Sequence, residues 1–172
     1  MSSAFSVENL TKPFVVKPAS SPLGRNEALA RNMQYLTDND HTLIMSKAKP
    51  LTFARGEKLI REGTPSPAFF MIRQGSVRVE RGGYVLATLY PGSVCGEMTL
   101  LEASPASATV VADEDVIADA VEVTNMREIF LAFPHLGSRF YRSIALTLSG
   151  RLRDTSCKLT ELEKRVAAGR AQ

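Results

Sequence analysis

The residues of this chain that can do chemistry gather between Gly92 and Val110, in the stretch Gly-Ser-Val-Cys-Gly-Glu-Met-Thr-Leu-Leu-Glu-Ala-Ser-Pro-Ala-Ser-Ala-Thr-Val. Gly92 and Gly96 punctuate its entry, because glycine allows turns and close backbone approach. Glu97-Met98-Thr99-Leu100-Leu101 reads as one short helix. Ser104-Pro105 stops it, and Ser107 to Ala112 returns as a strand. The first backbone N–H groups of a helix have no intrahelical partner, so a helix start facing a strand return is suited to an anion. Glu97 stands at that start, where a carboxylate also stabilises the helix N-terminus.

Other chemistries find little support. His41 and His135 are the only histidines, and neither has a second ligand at metal spacing. Gly92-Ser93-Val94-Cys95-Gly96 is not a nucleophile elbow, because its central residue is Val94. Cys95 has no histidine near it in sequence and reads as a buried structural thiol. Asp113-Glu114-Asp115 reads as a solvated turn. No phosphate-loop or dinucleotide glycine motif occurs. An enzyme is not expected.

The elements that must position the stretch follow from the chain on either side. With 172 residues and 44% hydrophobic content, the chain is one packed domain with appendages. Residues 1–25 hold Pro13, Pro18, Pro22 and Gly24 among serines and read as a flexible leader. Its compact apolar run is Phe14-Val15-Val16, a docking anchor if the leader has a partner. Asn26 to Thr37 has helical spacing through Leu29, Met33 and Leu36. A second helix is expected over Asp38 to Ala48, capped by Asn39 or Asp40, with Leu43 and Ile44 inward and Lys49-Pro50 ending it.

From Leu51 the period changes to two. Strands are expected at Leu51 to Phe53, Ala68 to Arg73, Ser76 to Glu80 and Tyr84 to Leu89, with a further short strand between two turns within Gly56 to Gly63. Val77 and Val79 should face inward, Arg78 and Glu80 outward. Gly82-Gly83 signals a hairpin, and Pro91-Gly92 another turn. Beyond the central stretch, Val116 to Val123 is a strand. Asn125 with Glu128 predicts a capped helix from Met126 to Phe133, and Pro134 ends it. A last helix begins near His135 or Leu136 and runs to about Ala167. Many short strands with glycine turns indicate a β roll. The fold class is α+β: an antiparallel, jelly-roll-like β roll with N-terminal helices, a short helix in the central stretch and a long C-terminal helix.

The central stretch resembles the phosphate-binding cassette of the cyclic-nucleotide-binding domain family, of catabolite-activator and kinase-regulatory-subunit type. The family pattern is Gly-Glu, a short helix and loop, then Pro-Arg-Ala-Ala-Thr-Val; here stand Gly96-Glu97 and Pro105-Ala106-Ser107-Ala108-Thr109-Val110. The order Gly56-Glu57-x-Leu59-Ile60-x-x-Gly63, apolar strand, Gly75, Val77-x-Val79 resembles the same family, so the likeness covers about residues 40 to 153. It implies that Gly96, Glu97, Met98, Thr99, Ala106, Ser107 and Thr109 line a ligand site. Glu97 would accept a hydrogen bond from a ribose 2′-hydroxyl, and backbone N–H groups near Met98 and Thr99 would meet the cyclic phosphate. The implied ligand is cyclic AMP or cyclic GMP, with no cofactor required and no metal.

Ala106 stands where the family has its phosphate-binding arginine. Losing one partner of a buried charge-assisted pair costs about 2–5 kcal/mol, or about 1.5 to 3.5 decades of affinity. Weakened or altered nucleotide specificity is therefore expected, unless Arg73, Arg139, Arg142 or a partner chain supplies the charge. Ser107 can donate one neutral hydrogen bond.

In the last helix, Leu148, Leu152, Thr155, Leu159, Leu162 and Val166 fall at heptad spacing, and Glu161 and Arg165 form an i,i+4 pair. Phe140, Ile144 and Leu148 should cover the roll, while residues 154–172 extend as a homodimer segment. The domain division is a leader at 1–25, the cyclic-nucleotide-binding-like domain at 26–153 and the extension at 154–172. Net charge of +3 is mild and spread along the chain, and no reader helix follows the long one, so DNA is not expected. No stretch reads as a membrane span or a secretory signal, and two separated cysteines suit a reducing, cytoplasmic setting. The chain is expected to be a stand-alone, non-catalytic sensor or regulatory module acting on an unknown protein partner. The alternative is a ligand-free adaptor of the same fold used for dimerisation.

Overall fold

A computed structural model of the protein describes residues 14–15, 33–102 and 104–170. Its elements in chain order are β1 (Phe14–Val15), α1 (Asp38–Ser46), β2 (Lys49–Phe53), β3 (Lys58–Ile60), β4 (Ala68–Gln74), β5 (Val77–Arg81) and β6 (Tyr84–Leu89). There follow β7 (Val94–Cys95), α2 (Glu97–Glu102), β8 (Thr109–Ala112), β9 (Val116–Glu122), α3 (Val123–Ala132) and α4 (Pro134–Arg170). The strands make two sheets, ordered β1-β6-β5-β8-β3 and β2-β9-β4-β7. Every pairing is antiparallel except that of β1 with β6. This is the α+β roll with a short cassette helix and a long last helix that the sequence indicates.

β4 explains why the roll has two cores. Its run Ala-Phe-Phe-Met-Ile is buried at every position, as a strand covered on both faces requires. Phe69 and Met71 point to one side, into a cluster with Val121 of β9 and with Ile44, Met45, Met126, Ile129, Leu136, Phe140 and Ile144 from the helices. Phe70 and Ile72 point to the other, into the roll, with Val77, Leu89, Val110, Val116 and Ala118. Alternate side chains of one strand thus serve two different cores. Phe69 and Phe140 meet edge to face with ring centroids 5.7 Å apart, fastening α4 to the sheet.

The turns behave as their residues dictate. Gly82 and Gly83 both take positive φ, 56° and 84°, which the tight β5–β6 hairpin needs. On β5, Val77 is fully buried and Val79 packs against the roll's inner cluster, while Arg78 pairs outward with Glu80 and Asp113.

Several boundaries differ from those expected. The cap of α1 is Thr37, not Asn39 or Asp40: Asp40 N–H donates to Thr37 Oγ1 at 3.3 Å, and Thr37 N–H donates back to Asp40 Oδ2 at 2.8 Å. Asp40 is the reciprocal partner three residues on, a role usually held by Glu or Gln. Of the helix expected over 26–37, residues 33–36 form a turn closed by Leu36 N–H to Met33 O at 2.9 Å, and the rest lies outside the described residues. Lys49-Pro50 does not end a helix but opens β2; a proline is tolerated there because β2 is a sheet edge. Asn125 does not cap α3. That helix starts straight out of β9 at Val123, whose N–H finds Pro67 O at 3.0 Å, a tertiary acceptor in place of a side-chain cap. Pro134 begins α4 rather than merely ending α3, a position where its missing N–H costs nothing. The return strand starts at Thr109, two residues later than expected. Apart from β1, the leader 1–25 lies outside the described residues.

α1 is tied to α4 by Arg139, whose Nε and Nη2 each donate to Asp40 at 2.7 Å. Those bonds, ahead of the Thr37 contacts, hold the Asp40 carboxyl at about 2 against an ordinary 3.8. A depressed carboxyl contributes stability at higher pH and loses it as pH falls through its folded value. Asp40→Asn should therefore lower stability at neutral pH by about 1–3 kcal/mol. The gap from wild type should close as pH falls from about 4 to about 2. Calorimetric melting across that range checks it; a gap independent of pH would show that the charge is not what matters.

Candidate functional site

The cassette begins where β7 turns into α2. Gly96 sits at φ +82°, and a Cβ there would lie 2.7 Å from Ala68 O and 3.3 Å from Ile60 Cδ1. Both the left-handed backbone and the close approach to β4 demand glycine. The chain then enters α2 with Glu97 first. Met98 is 36% exposed and Thr99 partly so, so the opening turn of α2 faces outward on one side.

Glu97 itself is buried, with 4% of its surface exposed. A buried carboxylate needs a partner, and the partner comes from 54 residues away. Arg151 on α4 donates from Nη1 to Glu97 Oε1 at 2.6 Å and from Nη2 to Val94 O at 2.7 Å. One guanidinium therefore grips the last strand before the cassette and the first residue of its helix. Arg151 is absent from the residues that the sequence alone expects to line the site. The available signal is its place between Leu148 and Leu152, beside the apolar stripe that lies on the roll.

The return limb is held differently. Ala106 is 9% exposed and packs in the roll's inner cluster with Leu59, Ile60, Ala68 and Phe70. Its N–H donates to Thr64 O at 2.9 Å and its carbonyl accepts Gly63 N–H at 2.8 Å. Thr109 Oγ1 accepts Glu62 N–H at 3.1 Å. The limb is thus strapped to the loop after β3. Ser107 is exposed and its hydroxyl contacts Met98 Sδ at 3.3 Å, bridging the two limbs. Gly96, Glu97, Met98, Thr99 and Ser107 therefore come together at the head of α2, with Ala106 and Thr109 on the strapped limb.

The three arginines considered as substitutes are engaged elsewhere. Arg73 lies 3.5 Å from buried Asp119. Arg139 holds Asp40, and Arg142 stacks 4.0 Å over the Tyr35 ring. Cys95, next to the cassette, is fully buried. Burial first, then the nearby Glu97 charge, pushes its thiol up to about 12, with Arg151 opposing. A thiol held there carries its proton at neutral pH. No helix among the described residues is long and apolar enough to cross a membrane.

Residues 50–132 match the family described as the cyclic nucleotide-binding domain. Among curated proteins, the chain is 33% identical over 107 residues to acetyltransferase Pat of Mycolicibacterium smegmatis, covering 60% of this chain and 31% of that protein. It is 27% identical over 111 residues to the cAMP-dependent protein kinase regulatory subunit of Eremothecium gossypii, covering 63% and 24%. The chain thus spans about a third or less of either relative's length. Among solved structures, a cyclic nucleotide-binding domain from Methylobacillus flagellatus superposes with a TM-score of 0.68 over 80% of this chain and 85% of that one, at 18% identity. That last likeness is one of fold.

The Glu97–Arg151 pair can be tested without a ligand. Arg151→Ala should destabilise the protein by about 1–3 kcal/mol in urea unfolding, because it strips a buried carboxylate of its donor. Adding Glu97→Gln should recover part of that loss, a coupling of about 0.5–3 kcal/mol. Strict additivity of the two substitutions would mean that the side chains do not act as a pair.

Proposed function

We propose that this chain, whose residues 50–132 match the cyclic nucleotide-binding domain family, works as a non-catalytic sensor module whose cassette takes a nucleotide and whose last helix carries the response. The observation that carries the proposal is the Arg151 grip on Glu97 and Val94. In this reading Glu97 accepts a ligand hydroxyl, and its other partner, Arg151, is part of α4. A ligand competing for that carboxylate changes what holds the long helix against the roll.

The ligand is a cyclic mononucleotide or a related anion, held more weakly than by family members with a cassette arginine. Backbone N–H groups at the head of α2 do not depend on side chains, so that contact survives the change. The point where arginine would meet the phosphate is Ala106, buried in the apolar cluster that includes Ile60 and Phe70. No cofactor is needed for a binding role of this kind. A cytoplasmic setting fits the free thiols of Cys95 and Cys157.

The response end is the distal half of α4. Leu152, Leu159 and Val166 are 68%, 57% and 50% exposed, on one heptad seam beyond the body of the roll. Arg165 pairs with Glu161 beside them. An apolar seam of this spacing suits a second copy of the same helix. The module is a homodimer in this reading and presents itself to a protein partner rather than to DNA. The ligand-free adaptor remains the second reading, favoured by the buried, uncharged Ala106.

Titration calorimetry with cyclic AMP, cyclic GMP and cyclic dinucleotides, with mass followed by light scattering, separates the readings. Ala106→Arg should bind a cyclic mononucleotide about 1.5 to 3.5 decades more tightly than wild type. Silence from a folded Ala106→Arg variant would leave the adaptor. Leu159→Lys should convert a dimer to a monomer; an unchanged mass would remove the α4 seam from the account.

A further inference from the structure

The leader's apolar run Phe14-Val15-Val16 is not used by the cassette, yet the fold gives part of it a seat. Phe14–Val15 lies parallel on β6, with Phe14 opposite Ala87 and Val15 opposite Thr88. β6 is bonded on its other side to β5, so β1 occupies what would otherwise be a sheet edge. An edge strand with open N–H and C=O groups is a template for another strand. β1 pairs with only two residues of β6. Tyr84 and Leu86, at 70% and 49% exposure, lie further along the same strand.

The sequence limits the seat. Pro13 and Pro18 flank the run, and proline brings no N–H to a ladder. Pairing is thereby confined to a few residues. A ladder this short gains little over the backbone freedom it removes, which leaves the β6 edge open to competition from another extended segment.

We propose that the β6 edge is a strand-acceptor site, and that its occupant in trans is the Phe14–Val15 segment of a second copy of this chain. Main-chain bonds supply the attraction and alternate side chains the fit, as in strand addition generally. The segment seated in cis already displays the register, and an identical segment from another copy meets the same edge. Residues 16–32 separate β1 from Met33. At up to ~3.5 Å per residue, that span is long enough to cross to a neighbour. This contact is independent of the cassette and of its ligand.

Engineered disulfides in the full chain, with Cys157→Ser to remove the exposed native thiol, test the exchange. Neighbouring strands lie about 5 Å apart, within the Cα range of roughly 4.4–6.8 Å that a disulfide bridges. A chain carrying Phe14→Cys and Ala87→Cys should close on itself in dilute solution. Mixing a mass-tagged Phe14→Cys chain with an Ala87→Cys chain should shift the oxidised product from monomer to cross-linked heterodimer. The shift should vanish when the first chain also carries Val15→Pro. Tyr84→Cys, exposed on β6 outside the register of β1, is the collision control. A heterodimer yield no greater than with Tyr84→Cys overturns exchange in trans, even where the double variant closes. Failure of the double variant to close overturns the seat itself.

Discussion

A carboxylate buried at the head of a one-and-a-half-turn helix is a demand that the rest of the structure must meet. Glu97 has 4% of its surface exposed, and an ionised group in that position is tolerated only with a strong partner. α2 is too short to supply one. The answer comes from α4, where Arg151 reaches both Glu97 and the backbone of Val94. To place that guanidinium, α4 has to lie along the roll in a fixed register. Phe140 and Ile144, fully buried about three and two turns earlier, set that register against Phe69. The ion pair is therefore the polar end of a line of contacts whose other members are apolar.

The same line explains why β4 is buried on both faces. One face must support the helices that deliver Arg151, and the other must close the roll that carries the cassette. Gly96 comes so close to β4 that Ala68 O would touch a Cβ at 2.7 Å. Cassette, central strand and last helix are thus in mutual contact, with no slack layer between them. The Asp40–Arg139 pair at the other end of the helical layer anchors α4 to α1, so the free length is the distal part beyond Leu152.

The strands were legible because each reports its own burial through short-range pattern. Ala68 to Arg73 is continuous apolar sequence, Ser76 to Glu80 alternates, and Gly82-Gly83 closes a hairpin; all three carry their geometry in neighbouring residues. The cassette helix was legible for the same reason, between Gly96 and Ser104-Pro105. The helix starts were not. Val123 begins α3 without a side-chain cap because Pro67, 56 positions earlier, offers its carbonyl, and no local signal marks that. Thr37 was passed over because its partner Asp40 is shorter than the usual Glu. Arg151 was the largest omission, and the reason is the same in kind. Its meaning lies in a contact with Glu97 across the fold, while its neighbours Gly150, Leu152 and Arg153 do not name that partner.

The two limbs of the cassette differ in what they ask of a ligand. At the Glu97 limb the charges are balanced, one carboxylate against one guanidinium, and the backbone N–H groups of α2 add a weak positive field. At the Ala106 limb there is no charge, and the backbone is already engaged with Gly63 and Thr64. An anion entering this site finds dipoles but no side-chain cation at the return limb among the described contacts. Dipoles of a single short helix are worth a fraction of a charge-assisted pair. Under the proposed function, discrimination in such a site rests on hydroxyl groups that compete for Glu97 more than on the phosphate, the inverse of the usual weighting of a phosphate cassette. In that reading Arg151, the group that shares Glu97, determines how strongly a ligand is felt by the helix.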